Sequence, residues 1–358
     1  MKIAPLTSLR FFAALGVFLI HYNQLFMRNT NDLIVALRPI FSEGYLWVGF
    51  FFILSGFIIS YSQDNKKNKD SPFSFLTKRL ARIYPVHLLM LLFFCLYFYD
   101  TWVMGQQLSI FYNIFLVQSL VPASNAYWGY NAVSWSISTE AIFYIAFIFL
   151  LPLKTKHLLS LFIIITLTIL LSHMYDFKNR DIMVWFYYIN PISRSVDFMA
   201  GMLLYRLHKI IKEKGIRIAM GGTLAEITSI IVMIIFMAIA IKTQFTKSLR
   251  YDLYYLLPMS LIVITFSFSN GVISKFLCNS HLILLGEASF CLYMIHQPLI
   301  SIISRKIITS TDSASLSEYA YLMPAMLMLS VMISIIIHVF YEKPLAKKIP
   351  YIIAADNR

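Results

Sequence analysis

Runs of roughly twenty mainly apolar residues recur along this chain, separated by short polar stretches. A helix rising 1.5 Å per residue needs about that many to cross some 30 Å of hydrocarbon. Ten spans are predicted on this basis: Leu6–Phe26, Gly44–Ser62, Tyr84–Val103, Ser134–Pro152, His157–Met174, Pro191–Leu207, Ala219–Ile241, Tyr251–Ser269, Leu282–Ile303 and Ala320–Tyr341. Ser109–Leu120 is too short to span and is expected at an interface or as a re-entrant segment. The fold class is therefore all-α: a polytopic integral membrane protein of about ten transmembrane helices. Residues 1–345 read as one transmembrane domain and 346–358 as a short cytosolic tail. The first run lacks a small-residue cleavage site and is read as a retained span, not a signal peptide.

Composition agrees with the pattern. Of 358 residues, 59% are hydrophobic and only 13% charged, against about a quarter charged in soluble domains. A net charge of +13 invites a nucleic-acid reading, but the basic residues sit in short loops, as they do in cytoplasmic membrane loops. No nucleic-acid partner is expected. Cys95, Cys278 and Cys291 show no metal-ligand spacing and read as small buried hydrophobes; no metal is expected.

Loop charge gives the orientation. With the N-terminus inside, inner segments hold nineteen basic residues and outer loops nine, with Arg10 and Arg194 falling within spans. This excess places both termini in the cytosol. No internal repeat is visible, which argues against an inverted-repeat transporter.

Ionisable groups inside a bilayer cost at least a few kcal/mol each and mark a cavity, a pair or a substrate path. Arg10 lies near the inner end of the first span, and His21 is eleven residues on, roughly 16 Å further out and on much the same helix side. Glu140 and His296, from two other spans, are expected at the depth of His21. A carboxylate beside an imidazole orients it and raises its basicity, as a general base requires. The alternative is that each is a structural residue bonding a neighbouring helix. Arg79 and Arg82, three apart on one helix side, suit a forked grip on phosphate, or equally anionic lipid or a plain topology signal.

These residues come with recognisable surroundings. Leu9-Arg10-Phe11-Phe12-Ala13-Ala14 running on to His21 resembles the opening of the membrane-bound acyltransferase-3 family. Val48 to Phe57, Phe75-Leu76 with Arg79, Arg82, Ile83, Tyr84 and Pro85, and Trp135-Ser136-Ile137-Ser138-Thr139-Glu140 with Phe143 and Tyr144 are similar to its next blocks. Arg194 with Phe198 and Gly201, then Leu285-Gly286 through Ser289, Leu292, Tyr293 and His296, and Tyr341-Glu342-Lys343-Pro344 continue the resemblance in order. Phe50 stands where the family often has an acidic or polar residue, and no extracytoplasmic esterase-like domain is expected.

The resemblance implies transfer of an acyl group, most often acetyl from acetyl-CoA as a consumed donor, to a hydroxyl of a lipid-linked or surface glycan such as lipopolysaccharide O-antigen or exopolysaccharide. It implies a multi-pass protein of the bacterial inner membrane, in contact with membrane lipid. Arg10, Arg79 and Arg82 would meet the acyl-CoA phosphates, and His21 oriented by Glu140 would take the acceptor proton. Ser136, Ser138, Tyr144 and Tyr293 stand as carriers or oxyanion donors, or as hydrogen bonds between helices. A polytopic transporter or flippase of a glycan or small molecule is the alternative class.

Overall fold

The structure, a computed structural model, describes residues 3–26, 39–66, 69–97, 107–175, 177–215, 222–243, 246–310 and 322–356. Lys2, Arg28, Arg38, Lys67, Arg217 and Arg358, and the predicted span margins 98–103, 219–221 and 320–321, lie outside these.

Each predicted span falls on a helix: α1 (Ala4–Phe26), α2 (Leu46–Asp64), α3 (Pro72–Tyr97), α4 (Trp135–Leu150), α5 (Thr155–Ser172), α6 (Pro191–Glu213), α7 (Thr223–Thr243), α8 (Leu256–Ser267), α9 (Ser280–Ser310) and α10 (Met323–Ile337). A π-helical turn, His338–Glu342, joins α10 to a last helix, α11 (Lys343–Asp356). Among the described residues there are no strands, and nine helices are long and apolar enough to cross a membrane. The predicted span that falls short on apolarity is α6, which carries Arg194, Asp197, Arg206, His208 and Lys209. Arg194, Asp197 and His208 are buried against protein, and Arg206 and Lys209 lie at its more exposed end, where they bond Leu153 and Asp64. The chain is a polytopic α-helical membrane protein.

The packing follows from where small residues lie. In hydrocarbon no hydrophobic force brings helices together, so close backbone approach must supply the contact. Gly56 on α2 and Gly201 on α6 meet in this way: a Cβ on Gly56 would lie 2.0 Å from the Phe198 carbonyl oxygen, and one on Gly201 would lie 1.9 Å from that of Ile53. Gly286 lets α9 close on α1 at the Thr7 carbonyl, 2.0 Å from its would-be Cβ. Thus α6 lies along α2, and α9 lies along α1. The rim helices α5 and α7 expose Ile163, Ile164, Leu167, Ile231, Ile234 and Ile235, the apolar face lipid requires.

The loops predicted to be cytosolic gather at one end. Lys209 bonds Asp64 at 2.7 Å, Arg206 donates to the Leu153 carbonyl at 2.8 Å, and Asp70 accepts from Lys78 at 2.6 Å and from Lys66. Helix α3 starts twelve residues before the predicted Tyr84 and runs through Pro85, so Arg79 and Arg82 stand inside it. Cys278 is a correction: it is exposed, in the turn after the short helix Val272–Leu277, while Cys291 is buried.

The segment before α4 does not span. Gln107–Ile114 is a short helix, and Leu116 in the left-handed region (φ 54°) reverses the chain. Gln118, Asn113 and Ser134 then bond one another below the surface. This tucked segment starts α4 deep in the bundle.

Candidate active site

Three of the cavities among the described residues follow one another along α1. The innermost, of about 280 Å³, opens beside the start of α1 and is lined by Arg10, Arg82, Glu287, His338, Glu342 and Lys347 among others. It shares Arg10, Ile58 and Arg82 with the middle cavity, of about 90 Å³, into which Arg79, Ser55, Ser136, Glu140, Tyr144 and Tyr293 also face. The outermost, about 420 Å³, holds His21.

Arg10, Arg79 and Arg82 are therefore brought together as predicted. Three cations in one apolar setting need counter-charge. Glu140 lines the same cavity, its Oε1 accepting from Tyr144 (2.7 Å) and Ser55 (3.1 Å). Glu342 faces Arg82 Nε at 3.6 Å. The other oxygen of Glu342 accepts from His338 Nδ1 (2.7 Å) and from the Cys291 thiol (3.2 Å). His338 Nε2 in turn lies 3.7 Å from Glu287.

Cys291, His338 and Glu342 place their ligand-type atoms within 4.8 Å of one another, a grouping that sequence spacing hid. Each is already partnered within the group, and the cluster fixes the carboxylate that faces Arg82. His338 and Glu287 were missed from the sequence. The four-residue step from His338 to Glu342 is a signal that would have found the first.

The predicted pairing of His21 with Glu140 is not what the fold makes. The Asn131 side chain donates to the Met294 carbonyl and the Val133 amide donates to Gln297 Oε1, so residues 131–133 stand level with His296. Glu140, seven residues further along, lies about 10 Å deeper at 1.5 Å per residue. Residues counted from the surface would put the start of α4 there, whereas the tucked segment sinks it. Glu140 belongs to the arginine cavity.

His296 is the partner of His21. Its Nε2 lies 3.0 Å from His21 Nδ1, and its own Nδ1 bonds the Leu292 carbonyl at 3.1 Å. His21 Nδ1 also bonds the Val17 carbonyl at 2.9 Å. A carbonyl can only accept, so both rings carry the proton on Nδ1. His296 Nε2 accepts from His21, and the Nε2 lone pair of His21 is left as a base.

The cavity around His21 is ringed by Tyr45, Tyr127, Trp128, Trp135, Tyr188 and Tyr251, with Arg180, Asp181 and Gln297 among its polar groups. Arg194 holds two of these residues, Tyr251 by its backbone and Tyr188 by its ring. Its guanidinium, paired with Asp197 at 2.7 Å, donates to the Tyr251 carbonyl and lies 6.0 Å over Tyr188. It lines none of the three cavities and acts through these neighbours. Tyr188 sits in a π-helical turn, Trp185–Ile189, a feature frequent at functional sites.

Ser136 lines the arginine cavity and lies 2.8 Å from the Tyr293 hydroxyl. Ser138 takes the hydrogen-bonding alternative: it is fully buried away from the cavities, donating to the Leu116 carbonyl (2.7 Å) and accepting from the Ser119 amide (3.2 Å). It pins the chain reversal.

Comparison with known proteins adds the family. The family model describing an acyltransferase domain matches residues 4–339. The chain belongs to the acyltransferase-3 family. The acyltransferase MdmB of Streptomyces mycarofaciens is 34% identical over 152 residues, 41% of this chain and 38% of that protein. The O-acetyltransferase OatA of Staphylococcus aureus (strain NCTC 8325) is 23% identical over 372 residues, 96% of this chain and 57% of that protein. The chain thus spans under two thirds of either relative. No solved structure matches it. Within the acyltransferase-3 family, then, this chain sets three arginines and a partnered histidine on one path along α1.

Proposed function

We propose that the protein is a membrane O-acyltransferase that moves an acyl group, most often acetyl, from acyl-CoA to a hydroxyl of a surface glycan. The observation that carries this reading is the polarity of the path along α1. Arg10, Arg79 and Arg82 face the inner cavities, and His21 faces an aromatic-ringed cavity at the other end. CoA is a cytosolic polyanion, and arginine forks suit its phosphates. Aromatic faces beside a few polar groups suit the mixed apolar and hydroxylated surface of a sugar.

The reaction is read as direct transfer. His21 Nε2 takes the proton of the acceptor hydroxyl, whose oxygen attacks the thioester carbon. The C–O bond forms, the C–S bond breaks, and the proton passes to the departing CoA thiolate. His296 acts through His21, holding its tautomer. The charge bias of the loops supports an orientation with the arginine end in the cytosol, and the bacterial relatives favour a bacterial cytoplasmic membrane; lipopolysaccharide O-antigen and exopolysaccharide are acceptors of suitable chemistry.

Inside-out membranes containing the full chain, given acetyl-labelled acetyl-CoA, should place alkali-labile label on glycan. Substituting His21→Ala should remove it while the protein remains inserted. A transporter would leave the glycan unlabelled with either protein, and that result would overturn the reading.

A further inference from the structure

We propose that the Tyr293 ring, backed by Val48, is the stop that limits how long an acyl chain this protein transfers. The inference rests on the acyl-CoA reading above. The arginine cavity and the His21 cavity share two lining residues, Val48 and Tyr293. A thioester arriving from the arginine end and a hydroxyl arriving beside His21 meet at that partition. Reacting atoms must close to about 3–3.5 Å for attack, so the acyl chain, which lies beyond the carbonyl carbon, is driven against these two side chains.

The wall is held, not loose. Tyr293 is buried, and its hydroxyl donates to the Val133 carbonyl at 3.1 Å and lies 2.8 Å from Ser136 Oγ. Its ring meets Phe51 edge to face, with centroids 6.0 Å apart. Swinging it aside would leave a buried hydroxyl without partners. Phe52, Ile137 and Phe290 close the rest of the arginine cavity with apolar surface. At about 90 Å³ it is the smallest of the three cavities along α1, which suits a short acyl group. Fitted apolar pockets discriminate a single methylene by about 10–200-fold.

The test compares labelled acetyl-, propionyl-, butyryl- and hexanoyl-CoA in envelope membranes from cells producing the full chain, scoring alkali-labile label on glycan. The natural protein should favour acetyl over butyryl by at least about tenfold. Tyr293→Ala should raise the butyryl-to-acetyl ratio by about tenfold or more, and Val48→Ala by a smaller factor in the same direction. Tyr293→Phe, which keeps the ring against Phe51 but loses the hydroxyl that anchors it, should shift the ratio less than Tyr293→Ala. An unchanged ratio in both alanine variants would overturn the proposal, and so would loss of transfer from all four donors in Val48→Ala, which lines the same partition and carries no reactive group. Absence of transfer from any acyl-CoA by the natural protein would instead sink the function proposed above.

Discussion

His296 Nε2 lies 3.0 Å from Nδ1 of His21, and the two rings come from helices 275 residues apart in sequence. The contact accepts the His21 N–H and leaves the opposite nitrogen as the base. Positioned bases contribute about 10²–10⁴-fold to turnover. His21→Ala should therefore lower kcat by about that range. His296→Ala leaves the base but frees its ring to turn. It should cost kcat about 10-fold or more, with the donor KM near that of the natural protein. Equal donor-KM increases in both variants would show that the pair binds donor instead.

Glu342 gives a different signature, because it faces Arg82 rather than the acceptor. Its carboxylate is held by His338 and Cys291, and Arg82 approaches its free side. Glu342→Gln keeps the shape and removes the charge. The carboxylate orients Arg82 as an ion pair at 3.6 Å, so the donor KM should rise a few-fold while kcat changes less. Steady-state titration with acetyl-CoA separates the two constants. A kcat loss at unchanged KM would move Glu342 out of donor binding.

Much of this arrangement was legible in the sequence, and the failures share one cause. Hydropathy and loop charge locate helices because the bilayer forces every backbone group into a helix, whatever its neighbours. Arg10, Arg79 and Arg82 were readable as one group, since loop charge puts all three at one end. The partner of His21 was not. Span boundaries give depth only if the chain enters at the surface, and residues 107–134 fold inward instead, lowering Glu140 into the arginine cavity. Ser138 takes the hydrogen-bonding alternative, to the segment expected to re-enter, and depth along the span does not separate that role from a carrier's. Lateral neighbours, such as Glu342 beside Cys291, depend on helix packing that periodicity does not encode.

The crossing of α2 and α6 leaves no room for a methyl group. Gly201 faces the Ile53 carbonyl so closely that a Cβ would lie 1.9 Å from it, and backbone cannot rotate aside as a side chain does. Overpacking costs about 1–3 kcal/mol even where side chains can adjust. Gly201→Ala should lower the thermal midpoint of the detergent-solubilised protein by several degrees. Ile164→Ala, on the exposed face of α5, should leave it nearly unchanged. Equal midpoints for the two variants would contradict the packing described.

Asp70, outside the spans, ties the α2–α3 connection at the arginine end. Burial alone would raise its carboxyl pKa, but hydrogen bonds from Lys66, Lys78 and Gln63 outweigh it and hold the group at about 2. An unfolded Asp titrates near 3.9, at about its model-peptide value. A depressed folded value stabilises the native state above the unfolded pKa, and that contribution fades as pH falls from about 4 towards 2. Asp70→Asn removes the charge throughout. The thermal midpoint of the natural protein should exceed that of Asp70→Asn at pH 6, and the gap should narrow below pH 4. Raising the ionic strength should narrow it less than for a fully exposed pair, since the Asp70 side chain is only 10% accessible. A gap that stays constant from pH 6 to pH 2 would mean that the three donors hold the connection without the carboxylate charge.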